Sequence, residues 1–82
     1  MEKATHFEIL KVGAEPNKRF LSITMNGHHW TSQGYAHKFL SLDSAVEEAN
    51  RHENVLIIWV SKTSWGEVNH SNVPIATYQF NH

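Results

Sequence analysis

Seven histidines stand among 82 residues: His6, His28, His29, His37, His52, His70 and His82. Imidazole is the commonest metal ligand and the natural acid–base group near neutral pH, so their spacing is the first thing to read. It is poor for a metal. His28 and His29 are adjacent, and on a strand they point to opposite faces. No His-x-x-x-His lies on the one helical stretch, and no H-E-x-x-H occurs. The chain has no cysteine, so zinc would need three or four His, Asp or Glu ligands converging from different elements. A cross-strand pair, His28 with His37 or His6 with His29, is what could begin such a site. The expectation is polar surface histidines, no metal site and no cofactor.

Other catalytic patterns are as thin. Ser, His and Asp are all present, but no G-x-S-x-G places a serine on a nucleophile elbow. The glycines, at 13, 27, 34 and 66, are scattered through turns and form no phosphate loop. Glu47 and Glu48 read as helical neighbours on a solvated face, not as carboxylates flanking a scissile bond. Asn69-His70-Ser71 matches the glycosylation sequon and reads as chance. No residue is assigned a catalytic role, and the chain is expected not to be an enzyme.

The aromatic residues are more informative. Trp30, Trp59 and Trp65 sit on three different predicted elements. Trp59 lies in a buried strand and reads as core. Trp65 lies in a polar loop before Gly66, where a core role is least forced, and exposed tryptophan is enriched at binding hot spots. Its competing role is to fold over a sheet edge as a cap. Trp30, Tyr35 and Tyr78 are weaker candidates for the same surface. The basic pairs Lys18-Arg19 and His37-Lys38 could, with an aromatic sheet face, read single-stranded nucleic acid by stacking. The candidate binding residues are therefore Trp65, Tyr35, Tyr78, Trp30, Lys18 and Arg19.

These side chains are positioned by a short run of elements. Residues 41–50 form a helix: Leu42, Ala45, Val46 and Ala49 fall on one stripe, Ser41 is placed to cap, and Asp43 suits the first turn. Residues 55–60, apolar without alternation, suit a strand buried on both faces, within a fourth strand at 54–61. Residues 5–12 read as strand one, 13–18 as a turn with Pro16, and 20–25 as strand two. Asn26-Gly27 predicts a type I′ turn with positive φ at both residues, returning into strand three at 28–32. Gln33-Gly34 breaks it. Residues 35–40 either extend strand three past a bulge or approach the helix irregularly. A polar loop is expected at 62–72, then strand five at 73–80, with Pro74 marking an edge.

The fold class that follows is α+β: a single small antiparallel sheet, β-β-β-α-β-β, with one helix packed on one face, and one domain over residues 1–82. One helix should leave the other sheet face solvated or at an interface.

Composition narrows the function classes. A chain this short buries roughly 60–65% of its unfolded surface, so its core is small. Seven basic and eight acidic residues give a formal net charge of −1. A general polyanion binder carries a basic excess, and a nucleic-acid mimic an acidic one. The longest apolar run has six residues against the ~20 a spanning helix needs, so no membrane association is expected. The first residues contain no apolar segment of signal-peptide length, which together with the missing cysteines suggests an unprocessed cytoplasmic protein. In layout alone, a sheet meander, one helix and a final hairpin is similar to several small phage-encoded inhibitors of host defence, some anti-CRISPR proteins among them, and to many small bacterial domains. The sequence reading is a protein–protein binding module, in that layout an inhibitor, whose partner is another protein or a second copy. A single-domain nucleic-acid binder is the alternative, and a small enzyme using a histidine the third.

Overall fold

The computed structural model describes residues 3–73. Five strands form one antiparallel sheet: β1 (Lys3–Lys11), β2 (Phe20–Thr24), β3 (Gly27–Thr31), β4 (Val55–Lys62) and β5 (Val68–Asn72), in the order β3-β2-β1-β4-β5. One helix, α1 (Leu42–Ala49), joins β3 to β4. The α+β class is as the sequence predicts. β4 runs along the whole of β1, from Lys3 opposite Lys62 to Lys11 opposite Val55. Its unbroken apolar run has the expected cause. Val55 and Ile57 face the helix, Ile58 and Val60 face the other way, and all four are buried.

Helix α1 begins where its cap lies. The Ser44 N–H donates to Ser41 Oγ at 3.2 Å, satisfying one of the orphan donors of the first turn. Ala45 and Ala49 are fully buried, and Leu42 and Val46 are partly buried beside them. Small residues at the contact let the helix approach a core of Ile9, Leu21, Phe39 and Ile57. Trp59 packs against this core without being fully buried, and its indole N–H is enclosed with no acceptor among the described residues.

The sheet is split between β1 and β2. These strands pair at Leu10 opposite Phe20 and then diverge. The gap is filled by the chain leading into α1. The His37 N–H donates to the Leu21 carbonyl at 2.9 Å, and Phe39 exchanges backbone hydrogen bonds with Phe7 at 2.7 and 2.8 Å. Residues 35–40 therefore do not extend β3. A 3-10 turn, Gln33–Tyr35, carries the chain across β2, and Phe39 enters the sheet as a single bridge. The crossing lies on the face away from the helix, where Gln33 Nε2 donates to Glu8 Oε1 at 3.4 Å. That face is not bare, as one helix for five strands had suggested: Glu8, Phe20, Ile58 and Val60 on it are all buried.

Two local expectations are corrected. Gly27 has φ +110°, but Asn26 does not share a positive φ. Thr24 pairs with Gly27, so Met25 and Asn26 are the central turn residues. The Asn26 N–H donates to Thr24 Oγ1 at 3.2 Å, a side-chain turn that competes with the type I′ geometry. Such hairpins place a positive-φ glycine after the turn instead of inside it. The second correction is β5. Residues 62–72 are not one loop: a tight turn at 63–67 returns the chain as β5, paired from Lys62 opposite Val68 to Ile58 opposite Asn72. The β4 backbone supplies the ladder, so a polar sequence suffices for a largely exposed strand. Of the expected strand at 73–80, Val73 is buried and donates its N–H to the Ile57 carbonyl at 2.9 Å. The rest, with Pro74 and Tyr78, lies outside the described residues.

Two stability measurements check this arrangement. Ile57 is fully buried between helix and sheet. Ile57→Ala should lower the unfolding free energy by about 2–5 kcal/mol in urea titrations, and a loss well under 1 kcal/mol would show that β4 is not central. A side chain added at Gly27 would meet open space, so the constraint there is conformational. Gly27→Val should destabilise by about 1–3 kcal/mol through backbone strain alone, and an unchanged urea midpoint would contradict the turn.

Candidate functional site

The β4–β5 turn is a closed unit. The Thr63 N–H donates to the Glu67 carbonyl at 2.9 Å, the Glu67 N–H to Thr63 Oγ1 at 2.9 Å, and the Gly66 N–H to the Thr63 carbonyl at 3.1 Å. Gly66 has φ +92°, a conformation that glycine adopts without strain. Trp65 rides on this turn with 76% of its surface exposed, and its Nε1–H donates to Glu67 Oε2 at 3.0 Å. It does not fold back as a core cap. The indole is presented to solvent with its polar edge already occupied.

The other candidates are dispersed. Tyr35 is 73% exposed in the 3-10 turn that crosses β2. Trp30 is half-buried on the helix side of β3, its ring met edge-on by His52 at 5.3 Å and covered by Lys11 Nζ at 5.2 Å. Lys18 and Arg19 lie where β1 meets β2, since the Lys11 N–H donates to the Arg19 carbonyl. Trp65 lies at the opposite end, beside the start of β1. Arg19 is committed to its own turn: Nε and Nη2 both donate to the Ala14 carbonyl, at 3.0 and 2.8 Å. Tyr78 lies outside the described residues.

Sequence reasoning missed two apolar residues. Met25 is fully exposed at the β2–β3 turn, and Leu40 is largely exposed just after the Phe39 bridge. Strand directions bring both toward the end of the sheet that carries Trp65. The signals were available. A turn centred one residue earlier puts Met25 at a tip, and Leu40 directly precedes the helix cap.

Three histidines, His6, His28 and His52, find carboxylates. Glu48 is only 8% exposed, so the solvated reading of Glu47 and Glu48 holds for Glu47 alone. His52 Nε2 lies 2.8 Å from Glu48 Oε2, His28 Nε2 lies 3.4 Å from the same oxygen, and Arg51 Nη1 lies 3.5 Å from Oε1. Burial of the acid is offset by these donors. Glu48 and His52 stand four apart, a helical spacing visible in the sequence. On the other sheet face, His6 Nε2 meets the buried Glu8 at 2.9 Å. Neither His28 with His37 nor His6 with His29 is paired among the described contacts; His37 packs edge-on against Phe39 at 4.6 Å. Among the described residues, no group of three or more His, Asp or Glu is placed to hold a metal ion.

Thr5, His6 and Glu8 do form a hydroxyl–imidazole–carboxylate series, with Thr5 Oγ1 3.1 Å from His6 Nδ1. The Thr5 hydroxyl, however, donates to the Val60 carbonyl at 3.0 Å, which holds its proton on the β1 irregularity between Ala4 and His6. A mixed-charge groove of about 460 Å³ opens between the 37–40 segment and α1, lined by Lys38, Leu40, Ser44, Glu47 and Arg51 among others.

The two helical acids provide a direct comparison. Glu48→Ala should destabilise by about 1–3 kcal/mol, because its donors are left without an acceptor. Glu47→Ala should change stability by less than about 0.5 kcal/mol. Equal effects in urea titrations would show that the Glu48 cluster contributes nothing specific.

No described helix is long and apolar enough to cross a membrane. No protein-family model, curated protein or solved structure matches the chain.

Proposed function

We propose that this chain is a protein-binding module that works by occupying a partner's surface, with Trp65 as its anchor, and not by turning over a substrate. The observation that carries the reading is the exposed indole of Trp65, tied by its N–H to Glu67 at the tip of a closed hairpin turn. Tryptophan offers a large contact area for few rotatable bonds, and a tied ring loses little freedom on docking. Met25 and Leu40 emerge toward the same end of the sheet and would flank the anchor. Tyr35 is a secondary contact. A blocking occupant needs only a rigid surface, so an inhibitor of a host defence protein, encoded by a phage or mobile element and acting in the cytoplasm without a cofactor, is the specific form this reading takes.

The test is an alanine scan against the partner captured from the native host. Trp65→Ala should weaken binding at least about thirtyfold, equivalent to ~2 kcal/mol or more, while Glu47→Ala should leave affinity unchanged. Because Trp65 is exposed, its truncation should shift folding stability by less than about 0.5 kcal/mol, which separates lost binding from lost fold. Normal binding by Trp65→Ala, with Lys18 and Arg19 substitutions abolishing binding in a salt-dependent way, would replace this reading with nucleic-acid binding.

A further inference from the structure

The outer edge of β3 has a hydrogen-bonding pattern that complements itself. In β2, the carbonyls of Arg19 and Leu21 point toward β1 and the 37–39 segment, accepting from Lys11 and His37. Alternation along a strand then directs Phe20, Ser22 and Thr24 toward β3, where they pair with Thr31, His29 and Gly27. His28 and Trp30 must therefore aim their N–H and C=O groups outward. β3 ends the sheet order, and no described residue hydrogen-bonds these groups. The 3-10 turn Pro16–Lys18 lies close to β3, but its Lys18 N–H donates to the Glu15 carbonyl at 2.9 Å and no described hydrogen bond joins the turn to this edge.

Natural sheets guard such an edge with lysine, proline or a bulge. β3 reads Gly27-His28-His29-Trp30-Thr31, with no charged residue other than histidine, no proline and no bulge. We propose that this edge pairs with the same edge of a second copy of the chain, antiparallel about a two-fold axis through His29. That register sets His28 of one copy opposite Trp30 of the other, with two hydrogen bonds in each of the two symmetry-related pairs. On the helix side, each imidazole of His28 meets the indole of the partner's Trp30, a cross-strand aromatic pair. On the other face, His29 meets its own symmetry mate. A net charge of −1 per chain puts little repulsion in the way. The edge selects a second copy over an unrelated peptide because donors, acceptors and side-chain sizes match under the two-fold. A pairing this small is weak, so the dimer forms at high concentration. The surface is separate from the Trp65 tip, which belongs to the opposite half of the sheet.

Sedimentation velocity of the full chain, from about 10 µM to about 1 mM, tests this over the range expected for weak association. The mass should rise from 9.4 kDa toward twice that value. His29 is exposed and its side chain makes no described contact, so its replacement spares the fold. His29→Glu and His29→Lys should each stay at monomer mass, since like charges then face each other across the axis. An equimolar mixture of the two should regain dimer mass, and Trp65→Ala should dimerise like the wild type. Circular dichroism of each variant confirms the fold. A wild type that stays monomeric at the highest concentration overturns the proposal, even if the edge captures a foreign peptide. So does dimerisation of both charged variants alone, or a mixture that stays monomeric.

Discussion

The backbone exchange between Phe7 and Phe39 is the constraint on which this small fold turns. β1 has β4 along one side for its whole length, but β2 pairs with its other side only at the Leu10 end. Unpaired N–H and C=O groups in the middle of a sheet would be costly to bury. Phe39 supplies partners for Phe7, which β2 does not reach. Much else follows from that placement. Phe39 lands in the core with Ile9 and Leu21, Leu40 is turned outward, and Ser41 arrives where it can cap α1. The chain must cross β2 to get there, and the crossing brings Gln33 to Glu8 on the face the helix does not cover.

Electrostatics inside the fold obey the same requirement for completeness. A chain with few charges nevertheless buries two carboxylates among the described residues, Glu8 and Glu48, one on each side of the sheet. Each is met by imidazole nitrogen at 2.8–2.9 Å and by a second donor, Gln33 or Arg51. The arrangement ties elements together more than it drives folding, since buried ion pairs seldom repay their full desolvation. Glu48 and His52 bind the end of α1 to His28 and Trp30 of β3. Three of the seven histidines, His6, His28 and His52, are thereby absorbed as structural glue.

The parts of the fold legible in the sequence are those whose signals are local and strong. Ser41 with the 42, 45, 46, 49 stripe marked the helix, and the unalternating run at 55–60 marked the doubly buried strand. What escaped depends on neighbours. Val68–Asn72 has no strand pattern of its own, because its partner strand imposes the conformation. Asn26-Gly27 marked a hairpin but not its centre, since the Thr24 hydroxyl tips the choice of turn. The burial of Glu48 is not legible from one apolar stripe, because β3 reaches the flank of the helix as well. The polar surroundings of Trp65 leave exposure and a folded-over cap both open; the choice, like the tie to Glu67, needs the turn closed first.

The closed turn also explains why a tryptophan can remain outside. An indole on a mobile loop would lower its free energy by collapsing onto the nearest apolar surface. Here the Thr63 and Glu67 hydrogen bonds fix the backbone, and the Glu67 carboxylate takes the one polar atom of the ring. The one polar atom of the side chain is thus satisfied in an extended position, and folding the ring back toward the core would give up that bond. Exposed apolar area kept in place by polar bonds has already lost the freedom that docking would take from it. That pre-organisation, more than the amount of apolar surface, distinguishes Trp65 from Met25 and Leu40, whose side chains reach solvent without any described hydrogen bond to orient them.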